Sequence, residues 1–261
     1  MQIPSGKKVY FLSDFHLGAP NRSISLEREK RIVQFLDEIK KDAAEIFIVG
    51  DLFDFWYEYR KVVPKGYTRI LGKLAQLTDS GIFIHFFVGN HDMWMSGYFE
   101  EELNIPVFHE PKIFEWNGRK FYIGHGDGLG PGDRGYKFIK KIFRNKFCQR
   151  LFGVLPPAIG VGMADYFSRK SRAAAGQIDE QFLGEEKEWL IIYCKEMLQK
   201  QHFDYFIFGH RHLPIDFSLN NKSRYINLGD WMRYCTYAVF DGETLVLKSW
   251  LSETESKIIR K

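Results

Sequence analysis

Short apolar runs alternate with helical periodicity over the first hundred residues. Residues 9–13 (Val-Tyr-Phe-Leu-Ser) predict a first strand, Ile46-Phe47-Ile48-Val49 a second that Gly50 breaks, and residues 82–88 a third. Between them, Ile32, Phe35, Leu36 and Ile39 recur at helical spacing in a segment opening near Ser25, with Glu27 and Glu29 placed in its first turn. A second helix is predicted from about Tyr67 to Thr78, stopped at Gly81. This β-α-β-α-β succession predicts parallel strands with right-handed crossovers. Residues 113–116 and 119–123 flank Asn117-Gly118, the signature of a tight hairpin. Residues 135–200 carry helical periodicity alone, with breaks at Gly153, Pro156-Pro157 and Gly176. Strands resume at residues 205–208, 223–228, 236–240 and 244–250, the last two joined at Asp241-Gly242. The expected organisation is an α/β core of residues 1–134 and 201–261, interrupted by a helical insertion over 135–200.

The polar residues that end these strands carry the chemistry. Asp14 and His16, then Asp51, then Asn90 with His91, then His125, then His210 with His212 each follow an apolar run. A single histidine after a strand is usually structural; five such endings, holding five of the eight histidines, are not explained that way. In parallel sheets the C-terminal edge is where ligands bind. A mixture of carboxylate, amide oxygen and imidazole suits Mn, Fe, Co or Zn and argues against Ca or Mg alone. The ligands are too many for one ion, whereas two ions roughly 3.5–4 Å apart clamp a phosphoryl group between them. Asp51, alone at the end of its strand, is the candidate bridge.

Composition narrows the setting. The chain of 261 residues is 45% hydrophobic and 16% aromatic, enough for a substantial core. A net charge of +4 does not indicate an overall nucleic-acid-binding field. Cys148, Cys194 and Cys235 have no CxxC spacing and read as free thiols of a reducing compartment. The first residues do not resemble a signal peptide, and no apolar run approaches the ~20 residues of a membrane span, so a cytoplasmic location is expected. Residues 134–172 hold ten Lys or Arg against one acid, Asp165, interleaved with a stripe of Phe138, Ile142, Phe143 and Phe147. A basic amphipathic segment of this kind is either a membrane-surface or acyl-chain element, or a charged face packed on the core.

Asp14-Phe15-His16, Gly50-Asp51, Gly89-Asn90-His91-Asp92, Gly124-His125 and Gly209-His210-Arg211-His212 resemble, in order, the five motifs of the calcineurin-like metallophosphoesterases. The resemblance implies an α/β/β/α sandwich with two metal ions. It implies that one ion takes Asp14, His16, Asp51 and His212, and the other Asp51, Asn90, His125 and His210, with His91 a charge stabiliser or leaving-group acid beside the phosphate. Wider stretches narrow it: Asp14-Phe15-His16-Leu17-Gly18, Gly50-Asp51-Leu52-Phe53-Asp54-Phe55-Trp56, His125-Gly126-Asp127 followed by Asp133 and Tyr136, and Leu228-Gly229-Asp230-Trp231. These are similar to the UDP-2,3-diacylglucosamine diphosphatases of lipid A synthesis. That likeness implies Mn²⁺, cleavage to UMP and 2,3-diacylglucosamine 1-phosphate, a peripheral place on the cytoplasmic face of the bacterial inner membrane, and an insertion that serves as substrate cap or lid. It implies substrate contacts at Asn90, His91, Tyr136, Ser168, Arg172 and His210, and catalytic roles for Asp51, Asn90 and His91. Asp54, Trp56, Asp127 and Asp230 are read as packing or supporting residues. The departure lies at His91, where the narrower family has Arg and the wider superfamily His. Other readings are a general phosphodiesterase or nuclease of the same superfamily, and a catalytically inactive scaffold.

Overall fold

A computed structural model describes residues 1–132, 134–175 and 181–261; the side chains of Arg134, Asp165 and residues 169–175 lie outside that description. The first sheet is built from β1 (Lys8–Leu12), β2 (Ala43–Val49), β3 (Phe83–Phe87) and β4 (Val107–Phe108), with β10 (Thr236–Phe240) and β11 (Leu245–Ser249) completing the order β11-β10-β1-β2-β3-β4. β1 to β4 pair in parallel, and β10 joins β1 antiparallel. The crossovers are α1 (Arg22–Ile39), α2 (Thr68–Asp79) and the short α3 (Tyr98–Leu103). The second sheet contains β5 (Lys112–Trp116), β6 (Arg119–Ile123), β7 (Tyr205–Phe208), β8 (Pro214–Asn220), β9 (Ser223–Leu228) and β12 (Ile259–Arg260), in the order β12-β8-β9-β7-β6-β5.

Strand alternation builds four layers, because successive side chains point to opposite faces. From β1, Tyr10 and Leu12 pack with Ile32, Phe35, Leu74 and Leu77 of α1 and α2. Val9 and Phe11 face the other way and meet Phe121, Ile207 and Ile226 of the second sheet. That sheet's outer face, through Phe206, Phe208, Ile215 and Tyr225, buries Leu190, Ile191 and Cys194 of α7 (Trp189–Leu198). The protein is therefore the α/β/β/α sandwich that the motifs implied. One correction concerns the insertion. α4 (Arg134–Arg144), α5 (Lys146–Gly153) and α6 (Pro157–Ala175) form it, but α7 is an outer layer of the core. Periodicity alone does not say which body a helix packs on.

Other differences have local causes. α1 begins at Arg22 rather than near Ser25, because the Asn21 side chain caps it, accepting from the Ile24 N–H at 3.0 Å. Glu29 therefore lies beyond the first turn. Its buried carboxylate accepts from the N–H groups of Arg69 and Ile70, at 2.9 and 3.0 Å, and caps α2, whose own Tyr67 supplies no side-chain cap. α3, β4, β8 and β12 were not foreseen; they are short, or open on a proline as β8 does. The hairpin is as expected, with Asn117 and Gly118 at φ 50° and 75° between β5 and β6.

Glu29→Ala orphans two N–H groups at the start of α2, one of them buried. It is expected to destabilise the fold by about 1–3 kcal/mol, read as a lowered urea midpoint with an unchanged m-value.

Candidate metal centre

Every strand end singled out from the sequence opens on the same edge of the sandwich. Asp14, His16, Asp51, His210 and His212 all adopt positive φ, between 45° and 66°. Non-glycine residues rarely sit there, and such strain concentrates where surrounding structure over-determines it. Here the determinants are visible. The two loops after β1 and β2 zip together, with Asp14 N–H donating to Gly50 O at 3.1 Å and His16 N–H to Asp51 O at 2.9 Å. Buried Arg28 of α1 donates to the carbonyls of Phe15 and His16, at 3.0 and 2.8 Å, bracing the turn between the two candidate ligands. Asp92 is fully buried and accepts from Gly89 N–H at 2.7 Å and Leu52 N–H at 2.8 Å, tying the loops after β2 and β3 together. Gly89 is required by close approach, since a Cβ there would collide with the Asp51 carboxylate.

The result is two groups of ligand atoms that share one residue. Asp14, His16, Asp51 and His212 form the first, and Asp51, His125 and His210 the second; in each, all ligand atoms lie within 4.8 Å of one another. Asp51 Oδ2 is 3.6 Å from His16 Nε2 and 3.3 Å from His125 Nε2. Asp14 Oδ1 is 3.2 Å from His212 Nε2, and the Nε2 atoms of His16 and His212 face each other at 3.0 Å. Asn90 Oδ1 joins the second group, 3.2 Å from His125 Nε2. A further group of His16, Asp54 and His91 lies alongside, with Asp54 Oδ1 at 3.6 and 3.7 Å from the two Nδ1 atoms.

This donor set fits divalent cations. Asp51 Oδ1 accepts from the His91 N–H at 2.9 Å, but Oδ2 is buried with no hydrogen-bond partner among the described residues. A buried carboxylate oxygen left in that state is costly unless a cation meets it. His125 Nδ1 lies 2.8 Å from the Val49 carbonyl, which only accepts, so Nδ1 carries a proton and Nε2 is turned inward as a ligand. The field agrees. Burial opposes charge on His125, yet the Asp51, Asp14 and Asp127 carboxylates outweigh it and push the imidazole up to about 10. His212 is driven upward against burial by Asp14 and Asp230. Burial would raise Asp14 and Asp51, but the surrounding histidines hold both below the carboxylate range. His91 and His210 go the other way, to about 4, through burial and then neighbouring histidines, apart from the opposing pull of nearby carboxylates.

Two of the expected substrate contacts reach this centre. The Tyr136 ring, on α4, lies 6.3 Å from that of His210. Ser168 Oγ, on α6, lies 3.1 Å from His91 Nδ1, which also donates to the Asp54 carbonyl at 3.0 Å. The Arg172 side chain lies outside the described residues. Sequence reading missed Arg28 and assigned Asp92 no role; a buried arginine on the inward face of an amphipathic helix was the available signal.

An α/β/β/α sandwich whose strand ends converge on carboxylate, imidazole and amide ligands defines a metal-dependent hydrolase. A sequence profile of the calcineurin-like phosphoesterases matches residues 7–214, and the chain belongs to that family. It is 41% identical over 254 residues to the UDP-2,3-diacylglucosamine hydrolase of Porphyromonas gingivalis, covering 93% of this chain and 97% of that protein. Proteins of the same name from Photorhabdus laumondii and a Shewanella species are 28% and 27% identical, covering 85% and 86% of this chain and 90% and 89% of theirs.

Asp51→Ala removes the one residue common to both groups. The purified variant is expected to lose both bound metal, measured by elemental analysis, and turnover; an active variant with full metal would refute the shared position.

Proposed function

We propose that the protein hydrolyses the pyrophosphate of UDP-2,3-diacylglucosamine, releasing UMP and 2,3-diacylglucosamine 1-phosphate, in lipid A biosynthesis. The observation that carries this reading is the 41% identity to a UDP-2,3-diacylglucosamine hydrolase over 93% of the chain, the insertion included. Asp14, His16, Asp51 and His212 would hold one divalent ion, and Asp51, Asn90, His125 and His210 the other. The mixed donors suit Mn, Fe, Co or Zn alike, and the likeness to the UDP-2,3-diacylglucosamine diphosphatases favours manganese among them. When bound, the pair supplies Lewis-acid charge at the phosphoryl oxygens and acidifies a water enough to attack near neutral pH.

The chain's own residues do the rest. Asp230 Oδ2, 3.6 Å from His212 Nδ1, orients that imidazole toward Asp14. His91 is held by the Asp54 carbonyl and Ser168 through Nδ1, which leaves Nε2 to face the phosphate. With its Nδ1 proton so engaged, it acts once phosphate charge draws a second proton onto Nε2, and then stabilises charge developing on phosphoryl oxygen or protonates the leaving group. Asn90 and His210 sit beside it, and Tyr136, Ser168 and Arg172 complete the contacts from the insertion. That insertion, α4 to α6, is the substrate cap.

The cap also supplies a membrane surface. Phe138, Phe147 and Leu151 are all at least 60% exposed on α4 and α5, which carry Lys137, Lys141, Lys146 and Arg150, and Val154, just after α5, and Phe167 of α6 are as exposed. Apolar side chains this exposed beside cations suit an anionic lipid surface. Among the described residues no helix is long and apolar enough to cross a membrane. The exposed apolar and basic face of the cap supports the peripheral place on the cytoplasmic face of the inner membrane that the family likeness implies.

The direct test is UMP release from UDP-2,3-diacylglucosamine in mixed micelles with added Mn²⁺. Turnover of a water-soluble diester with none of the lipid would support the second reading, a general phosphodiesterase or nuclease, which His91 in the superfamily's form favours. Phe138→Glu with Phe147→Glu is expected to weaken co-sedimentation with anionic vesicles by about tenfold or more, while the soluble-diester rate holds.

A further inference from the structure

Asp127 was read from sequence as a supporting residue with no defined partner, and the structure gives it one. It follows β6 two residues after His125, in the turn Gly126-Asp127-Gly128, whose glycines have φ 108° and 70°. Its carboxylate is buried. Oδ2 accepts the Tyr136 hydroxyl at 2.6 Å and lies 2.5 Å from the Lys140 ammonium, which also donates to the Asp127 carbonyl at 2.8 Å. Tyr136 and Lys140 are four residues apart on α4, so they stand one above the other on a single helix face. Two donors from successive turns thus converge on one carboxylate. The turn is packed against both: a Cβ added at Gly128 would sit 3.4 Å from Tyr136 Cε1 and 3.5 Å from Lys140 Cδ.

We infer that Asp127 is a positioning residue, which holds Tyr136 at the metal centre by fixing the face and height of α4 relative to the turn that carries His125. The far end of α4 is anchored separately. Trp94 Nε1 donates to the Phe143 carbonyl at 2.7 Å, and Arg144 pairs with Glu110. At the near end Lys137 Nζ donates to the Gly130 carbonyl at 2.5 Å, and Lys140 keeps its bond to the Asp127 carbonyl, so loss of the Asp127 carboxylate loosens the turn that bears Tyr136 rather than the whole insertion. A merely stabilising carboxylate would lower the folded population for every substrate alike. A positioning one acts on the substrate that reaches the cap. The inference thus rests on the lipid-linked sugar nucleotide reading, and its test separates the two.

Asp127→Asn keeps the shape, removes the charge, and leaves one acceptor oxygen for two donors. Metal-loaded wild type, Asp127→Asn, Tyr136→Phe and the double variant would be assayed on UDP-2,3-diacylglucosamine in mixed micelles and on bis(4-nitrophenyl) phosphate. Asp127→Asn is expected to raise KM for the lipid by about tenfold with kcat within about twofold, with a much smaller change for the small diester. Tyr136→Phe in that background should add little, since the two substitutions cut one connection. Equal losses on both substrates, additive effects, or a fall in kcat at constant KM would overturn the inference. Amide hydrogen exchange gives a reading independent of substrate. Asp127→Asn should speed exchange over the first turns of α4 while α7 stays protected, and unchanged exchange there sinks the proposal. If wild type cleaves only the small diester, the substrate reading fails, and exchange alone decides the role of Asp127.

Discussion

The structure depends on one carboxylate oxygen. Asp51 Oδ2 lies buried among imidazole nitrogens with no hydrogen bond among the described residues, while its twin is held by the His91 N–H. An interior that leaves an ionised oxygen so exposed to other charges is stable only if a cation is meant to stand there. The surrounding histidines take part of that role without metal, which is why His125 and His212 are driven toward their charged forms. Two ions sharing Asp51, as we propose, would relieve the same field with greater charge.

Holding that oxygen in place requires loops that no single segment can stabilise. Strand ends at positive φ are braced from outside: Arg28 from α1, Asp92 across the loops after β2 and β3, and Asn227, whose side-chain amide donates to Gly209 O at 2.5 Å, behind His210. Arg211 is buried between the two histidines and pairs with Glu188 just ahead of α7 at 3.2 Å. The outer layer of the second sheet therefore reaches the site through Arg211, whose guanidinium also lies over the Trp189 ring of α7. Breaking such a buried pair strands a charge, so the residues around it are tied to the fold more tightly than their sequence positions suggest.

The insertion answers a different demand. A core helix hides its apolar stripe, as α1 does with Ile32, Phe35 and Leu36. α4 and α5 instead expose Phe138 and Phe147, while Tyr57, Trp94 and Phe152 pack as an aromatic group between the insertion and the loops after β2 and β3. A body that is anchored by aromatic contacts on one side and greasy and basic on the other is suited to lie between a phosphate centre and a lipid.

The sequence by itself determined the strand ends and their chemistry. Apolar runs closed by Asp, Asn or His survive any error in element boundaries, because the run and its terminal residue are neighbours in the chain. The parallel first half and the Asn117-Gly118 hairpin were legible for the same reason: periodicity and turn chemistry are local. What only tertiary structure decided was everything set by contact across the chain. The place of α7 on the second sheet, the capping of α2 by Glu29 of α1, and the bracing of the Asp14 turn by Arg28 each join residues with no shared local pattern. So does the link from Asp127 to Tyr136 and Lys140, which only the docking of α4 beside the His125 turn brings about.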